Sequence, residues 1–465
     1  MSALDQSAEA VTALAPLLRC PQCLRDGPLE PRGLGWQCGG CGTSFPTLEG
    51  VPWLFAEPES RLVEWRQRFK LLERELEAAR EPLQASLAAR GTLDAARPRL
   101  QRLERGYAAQ LGELRSLLEP LRLDASIARL ETLLALRTRT PLAQDLNSYY
   151  VNVHRDWVWG DAENAAALQL VRELADGEPF GRLVVPGAGA GRLAWDVHEA
   201  LGPDLTLGLD LNPLLSLVAQ RVAAGGEVAL HEFPVAPRSD SDVALARTLR
   251  APHAARPGLF FVLGDALRAP LRAGGFDTLL SPWFVDIVPH DFDAVCRQFA
   301  ALLRTGGRWL NFGSLSFAHR DPAACHGPAE VRAILEANGF EVLRVIEREL
   351  PYLRCPASRH GRVETVFAFA ARKQRDASPP PELVNLPSWL GNAAEPVPLL
   401  PHFATQALAN RIYAFVMALI DGRRGIADIA RYLVEQKLLL PGEAEGAVRS
   451  FLVALYEESR RRDRF

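Results

Sequence analysis

Residues 146–373 limit the fold more than any other part of the chain. Short apolar runs recur there: "RLVVP", "LTLGLD", "LFFVLGD", "FDTLLSPW", "GRWLNFG", "FEVLRVIE" and "VETVFAFAA", with helical stretches between most of them. Parallel strands need a crossover connection, and that connection is usually a helix. Alternating βα units therefore predict an α/β fold, a mostly parallel sheet with helices on both faces. The stretch "HEFPVAPRSDSDVALARTLRAPHAARPG" interrupts the alternation. It is long and Pro-rich, and is expected to form a loop or lid.

The first run leads into "PGAGAGRLAW", with Gly187, Gly189 and Gly191 between a strand and a helix. Glycines let the chain turn sharply and approach a ligand, and the helix start offers free N–H groups. A GxGxG alone is a weak signal, since a structural turn also explains it. Its company is stronger. The second run ends in Asp210, 23 residues after Gly187, where a carboxylate can accept from both ribose hydroxyls. The third ends in Asp265, followed by Ala266, where an adenine amino group can be met. The fourth ends in "SPWFVD" with Asp286. Four successive strand ends thus carry ligand-type residues on the edge where doubly wound sheets bind ligands. A dinucleotide dehydrogenase would favour GxGxxG, but Arg192 stands at that third position.

This order resembles class I S-adenosylmethionine-dependent methyltransferases, which implies a Rossmann-like sheet closed by an antiparallel end at "GFEVLRVIE…VETVFAFAA". Four further stretches, "VNVHRDWVW", "VPGAGAGRLAWDV", "FVDIVPHDFDAV" and "LLRTGGRWLNFGSLSF", together resemble the carnosine N-methyltransferase-like family over roughly residues 146–373. The resemblance implies that Arg155 reaches the methyl donor, that Gly189, Asp210 and Asp265 bind it, and that Asp286 binds the acceptor. It also implies tyrosines before the last strand and a substrate-binding His after "NFG". Here Arg362 and Glu364 replace the tyrosines. Ala318 takes the aligned His position, with His319 one residue later. Asp286 and His319 are therefore the candidate catalytic residues, and Arg362 and Glu364 a substrate wall suited to a polar or charged molecule. Since a sulfonium methyl is already activated, alignment and desolvation are the main tasks of such a site. His154 and the tryptophans Trp157 and Trp159 are expected to pack rather than react.

Upstream, Cys20, Cys23, Cys38 and Cys41 form CxxC-x14-CxxC. Two thiolate pairs at this spacing predict a tetrahedral Zn2+ site, and four cysteine ligands leave no open position, so the metal is structural. The segment through "FPTLEGVPWL" resembles the small zinc-ribbon activators of methyltransferases. Next, "LVEWRQRFKLLERELEAA" places Leu62, Trp65, Phe69, Leu72 and Leu76 at helical spacing. Pro82, Gly91, Pro98 and Pro120 are expected to cut that region into several helices. The tail, "LIDGRRGIADIARYL" and "AVRSFLVALYEE", resembles small winged-helix modules, with a plain helical domain as the other reading. The expected organisation is a flexible N-terminus (1–14), zinc ribbon (15–58), helical region (59–145), methyltransferase domain (146–373), Pro-rich linker (374–400) and small helical or winged-helix-like domain (401–465).

The net charge of −3 gives no electrostatic case for nucleic acid. No apolar run of about 18 residues predicts a membrane span, and the N-terminus lacks a signal-peptide pattern. Seven cysteines, four of them in a metal pattern, suit a reducing compartment, so a cytoplasmic enzyme is expected. Its substrate would be a small molecule or peptide, and the ribbon or the tail could hold a protein or peptide partner. The rival reading is a non-catalytic zinc-ribbon scaffold, or a methyltransferase of RNA or protein.

Overall fold

The computed structural model describes residues 12–25, 29–121, 146–288, 290–317, 321–379 and 396–462. The chain divides into two units, Met1–Asn385 and Leu386–Phe465.

The first unit begins with five short strands: β1 (Leu29–Arg32), β2 (Gly35–Cys38), β3 (Ser44–Phe45), β4 (Thr47–Leu48) and β5 (Val51–Leu54). Two long helices follow, α1 (Pro58–Ala88) and α2 (Arg97–Leu117). Pro82 lies inside α1 and does not end it. A proline there removes one ladder hydrogen bond, and the apolar stripe of α1 is already anchored upstream. Trp65, Phe69, Leu72 and Leu76 are buried against Trp53, Leu114 and Leu217. The break comes instead at Gly91, between the two helices, and Pro98 stands in the first turn of α2.

Beyond residue 145 the chain forms α3 (Tyr150–His154), one turn of π-helix (Arg155–Trp159), α4 (Asp161–Ala175), β6 (Arg182–Pro186), α5 (Arg192–Leu201), β7 (Leu205–Asp210) and α6 (Pro213–Ala223). It continues as β8 (Val228–Glu232), β9 (Leu245–Leu249), β10 (Leu259–Gly264), β11 (Phe276–Pro282), α7 (Phe292–Leu302), β12 (Leu303–Gly313), α8 (Pro328–Ala337), β13 (Phe340–Tyr352) and β14 (Arg362–Lys373). One mixed sheet of nine strands runs β13-β14-β12-β11-β6-β7-β10-β5-β4. Strands β12, β11, β6, β7, β10 and β5 pair in parallel, whereas β14 is antiparallel to both β12 and β13.

Side chains alternate across this sheet, as the pleat demands. Leu279, Trp309 and Phe369 meet Phe292, Val295 and Phe299 of α7 and Val331 of α8 on one face. Their sequence neighbours Leu280 and Leu310, with Leu183 and Val185, meet Leu170, Val171 and Leu174 of α4 and Val197 of α5 on the other. Both faces are covered, which is why the runs read as nearly continuous apolar sequence.

Two sequence expectations change. The segment after the cysteines joins the main sheet, because β5 pairs in parallel with β10 through Leu263↔Trp53 and Gly264↔Leu54, while β1, β2 and β3 form a separate three-stranded sheet. Without β5, β10 would be an edge with unpaired backbone groups. The Pro-rich insertion is no free lid either. Its flanks form the antiparallel hairpin β8–β9, and its tip is stapled to the β13–β14 connection. There Arg238 N donates to Ala357 O at 3.0 Å and Arg359 N to Ala236 O at 2.9 Å.

The second unit contains α9 (Pro401–Leu419), α10 (Ile426–Glu435) and α11 (Ala444–Arg462) around a small core of Val416, Ile429, Leu433 and Val448. The described elements of this unit are helices, with no strand among its described residues. No described helix is long and apolar enough to cross a membrane.

Candidate functional site

The glycine loop connects β6 to α5. Its three glycines have φ of +67°, +58° and +83°, the left-handed region that a Cβ disfavours. Two of them are also close-packed. A Cβ on Gly187 would stand 2.4 Å from Cδ2 of Phe284, and one on Gly191 would stand 2.7 Å from Cβ of Ala219. Gly189 differs, with no described atom within 4 Å of the same position. The loop is thus wedged at both ends and open in the middle, the form of a cradle for a ligand.

Asp210 at the end of β7 is tied to this opening. Its Oδ2 accepts from Gly189 N at 2.8 Å and its Oδ1 from Asn212 N at 2.9 Å. Burial pushes the carboxyl up to about 6, although the amides of Asn212, Gly189 and Leu211 draw it back. Asp265 follows β10 and caps the short turn Ala266–Arg268, accepting from Leu267 N at 2.9 Å. Ala266 is buried beneath that turn. Asp210 and Asp265 thus follow two adjacent parallel strands, and the Asp210 carboxylate is bonded to the open loop.

Asp286 follows β11 and is only 3 % exposed. Its Oδ2 accepts from Ser314 Oγ at 2.9 Å and Ser316 N at 3.1 Å, while its Oδ1 is buried with no hydrogen-bond partner among the described residues. A buried carboxylate oxygen left unpaired is costly, so this atom marks a place where a donor group belongs. Gly313 lies against it, 3.7 Å from Oδ1 at the position a Cβ would take. Phe284, two residues away, is the ring that packs on Gly187, so the Asp286 turn and the glycine loop touch directly.

The wall beyond Asp286 is aromatic and carries paired charges. Tyr352 meets Trp283 edge-on at 4.9 Å between ring centres. The guanidinium of Arg362 lies 4.5 Å from the Tyr352 ring and that of Arg155 5.7 Å from it. Neither cation is free: Arg155 forks onto Asp156 at 2.6 and 2.8 Å, and Arg362 pairs with Glu364 at 2.5 Å. Arg155 sits in the π-helical turn, closed by Gly160 N donating to Arg155 O at 2.8 Å. Such bulges occur often at functional sites.

The structure thus gathers Gly187, Gly189, Asp210 and Asp286 in one connected region. Arg155 and Arg362 meet at Tyr352. His319 lies outside the described residues, as does Ala318. His154 is fully buried, edge-on to Tyr150, and burial pushes its pKa down to about 4. It packs as a neutral ring.

Three residues escaped the sequence reading. Arg192 joins the loop to the π-helical turn, with Nη1 donating to Asp156 O at 2.7 Å and Nε to Asp196 at 3.0 Å. Its place directly after GxGxG was the available signal. Tyr352 gave no signal beyond being aromatic near a strand end. Tyr149 holds a left-handed backbone, φ 63°, and is 36 % exposed. Partial burial, together with the nearby Tyr352, Asp210 and Asp286, raises its pKa.

The four cysteines form a second, separate centre. Their sulfurs all lie within 4.8 Å of one another, with Cys20–Cys41 and Cys23–Cys38 both at 3.7 Å. A tetrahedron with Zn–S bonds of about 2.3 Å has S···S edges of roughly 3.8 Å, so the cluster fits a metal ion. Gly40 N points at Cys38 Sγ, 3.3 Å away. The knuckle also grips the cradle side of the sheet. Arg268, at the end of the Asp265 turn, donates to Pro21 O at 2.7 Å and Gln22 O at 3.1 Å.

Neither a protein-family model nor a curated protein matches the sequence. Solved structures do match distantly. A chain from the complex of the Haloferax volcanii Trm112 methyltransferase activator with a candidate methyltransferase is 13% identical, over 50% of this chain and 100% of that one, with a TM-score of 0.34. The geranyl diphosphate C-methyltransferase of Streptomyces coelicolor, solved with S-adenosyl-L-homocysteine, is 14% identical over 45% and 77%, with a TM-score of 0.31. The [4+2]-cyclase SpnF matches to the same degree, 14% over 45% and 81%, at 0.31. At these scores the functional reading rests on the geometry of the site itself.

Proposed function

We propose that this chain is an S-adenosylmethionine-dependent N-methyltransferase with a structural Zn2+ ribbon. The acceptor is a nitrogen of a small polar molecule or a histidine-containing peptide. The observation that carries the reading is the buried Oδ1 of Asp286, which has no hydrogen-bond partner among the described residues, near a glycine cradle whose neighbouring strand ends supply Asp210 and Asp265. When bound, the donor would supply an activated methyl group. Asp210 would accept from its ribose hydroxyls, Asp265 with Ala266 would meet its adenine, and Gly187, Gly189 and Gly191 would allow close approach. Arg155 would sit at the donor's other end. Asp286 would accept an N–H of the nucleophile and stabilise the positive charge that develops there. Arg362 and Glu364 would shape the outer wall, and His319 would act as base or orienting group.

Calorimetric titration with S-adenosylmethionine tests the first half, since absence of binding would favour the scaffold reading. Labelled donor with a panel of nitrogen acceptors tests the second. Asp286→Asn keeps an acceptor oxygen for Ser314 but removes the charge, so methyl transfer should fall at least ~100-fold while donor affinity stays within about twofold. Full activity in this variant would end the assignment of Asp286.

A further inference from the structure

We propose that Arg192 is a positioning residue for donor binding. It fixes the π-helical turn on the glycine loop, so that Arg155 is held ready for the carboxylate at the amino-acid end of S-adenosylmethionine. The proposal rests on the donor reading above and deepens it.

The backbone of the π-helical turn gives Arg192 its place. In a regular helix Gly160 N would reach Asp156 O, four residues back. Here it donates to Arg155 O, five residues back, at 2.8 Å. Asp156 O accepts from two side chains instead, Arg192 Nη1 at 2.7 Å and Asn164 Nδ2 at 3.2 Å. Arg192 is thus bonded to the residue whose carboxylate holds Arg155, since Asp156 Oδ1 takes both Nη2 and Nε of Arg155, at 2.6 and 2.8 Å. A second bond runs the other way. Trp157 Nε1 of the turn donates to Ala190 O of the loop at 2.8 Å. Residues 190 and 192 flank Gly191, so the turn is bonded to the loop on both sides of that glycine.

Arg192 is itself anchored. Its Nε bonds both carboxylate oxygens of Asp196, one turn along α5, at 3.0 and 3.1 Å. Its guanidinium lies 5.4 Å from the Trp157 ring and 5.8 Å from that of Trp195. Both side chains of the Arg192–Asp196 pair are mostly buried, as are those of Arg155 and Asp156. The loop, the turn and the Arg155–Asp156 pair therefore form one braced unit. Nε and Nη2 of Arg155 are spent on Asp156, which leaves Nη1 to meet a carboxylate of the ligand. A guanidinium held in place beforehand loses less freedom on binding than one that must be ordered by the ligand. The braced end serves only a ligand that has an amino-acid moiety.

The test compares two ligands by calorimetry on the full-length chain and needs no acceptor. S-adenosylhomocysteine has the amino-acid end, whereas 5′-methylthioadenosine shares its adenine, ribose and sulfur but lacks that end. Arg192→Lys should weaken S-adenosylhomocysteine by about three- to tenfold and leave 5′-methylthioadenosine within about twofold. Arg155→Lys should show the same contrast. The double variant should lose no more than Arg155→Lys alone, because the effect of Arg192 passes through Arg155. Each Lys keeps a cation beside a buried carboxylate, which favours folding. Arg192→Met combined with Asp196→Asn removes that buried ion pair as a whole and should repeat the contrast. Equal losses for the two ligands, unchanged affinity for S-adenosylhomocysteine in both Arg192 forms, or additive losses in the double variant would each overturn the proposal and leave the donor reading standing. Failure of the unaltered chain to bind S-adenosylhomocysteine would overturn both.

Discussion

Adding one methyl group at Gly189 or at Gly191 should have opposite consequences, and the pair tests whether the loop is a cradle or only a turn. Both residues have positive φ, so both Ala variants carry a left-handed backbone cost of about 1–2 kcal/mol. At Gly191 the new Cβ also meets Ala219 Cβ at 2.7 Å and Phe261 Cζ at 2.8 Å, and both neighbours are buried. Overpacking of this kind adds about 1–3 kcal/mol, for a total of about 2–5 kcal/mol. At Gly189 nothing described lies within 4 Å, and the cost stops at backbone strain. The new methyl there projects into the space a bound ligand would use.

Gly191→Ala should therefore show the larger fall in denaturant midpoint, followed by tryptophan fluorescence. Gly189→Ala should be the more stable of the two and yet lose at least about tenfold in affinity for S-adenosylmethionine. If Gly189→Ala bound the donor as the unaltered chain does, the open middle of the loop would not be the donor site. If the two variants were equally stable, the packing account of Gly191 would fail.

Other outcomes follow from the same geometry. If the four cysteines hold a metal, its chelation should lower thermal stability and also weaken donor binding, because the knuckle carbonyls of Pro21 and Gln22 hold Arg268 at the end of the Asp265 turn. Arg268→Ala should reproduce the loss of donor affinity, roughly 3- to 30-fold, with the metal still bound, as a metal-release assay would show. Asp210 gives a pH signature with two signs. Its folded pKa, about 6, is above the unfolded value, so its contribution to stability of the ligand-free chain is greatest below about pH 4 and is lost as the pH rises through 6. Donor affinity should run the other way, falling about tenfold between pH 7 and pH 5 as the carboxylate protonates, a dependence that Asp210→Asn should remove.

Strand runs and strand ends were legible because burial on both faces writes a sheet strand as continuous apolar sequence, and because a turn with positive φ requires glycine. The CxxC pairs were legible because a tetrahedral site fixes ligand type and spacing. The position of β5 was not. "VPWL" is a short apolar run after a ribbon, and nothing in it names β10 as its partner. That pairing is a long-range event, settled by the unpaired edge it covers. Tyr149 and Tyr352 were hidden for a similar reason. An aromatic residue on an apolar stretch is usually core, and only the left-handed backbone of Tyr149 and the two flanking guanidiniums of Tyr352 set them apart. Nor could the sequence show that Arg155 and Arg362 each hold a carboxylate of their own.

Those two pairings bear on the chemistry. Arg155 is balanced by Asp156 and Arg362 by Glu364, whereas Asp210 and Asp286 are carboxylates that form no ion pair with any described residue. An excess of negative charge in a partly dry site favours cations and N–H donors and disfavours anions. In the proposed reaction, methyl transfer from a sulfonium to a neutral nitrogen would move one positive charge from the Asp210 side toward Asp286. The buried Oδ1 of Asp286 is in place before the charge arrives, and so needs little reorganisation to stabilise it. A carboxylate-bearing acceptor would meet the same field with the opposite sign unless it displaced Glu364 from Arg362. Glu364→Gln should therefore improve KM for anionic acceptors and leave cationic ones nearly unchanged. An equal change for both would show that the pair stabilises the wall without selecting the substrate.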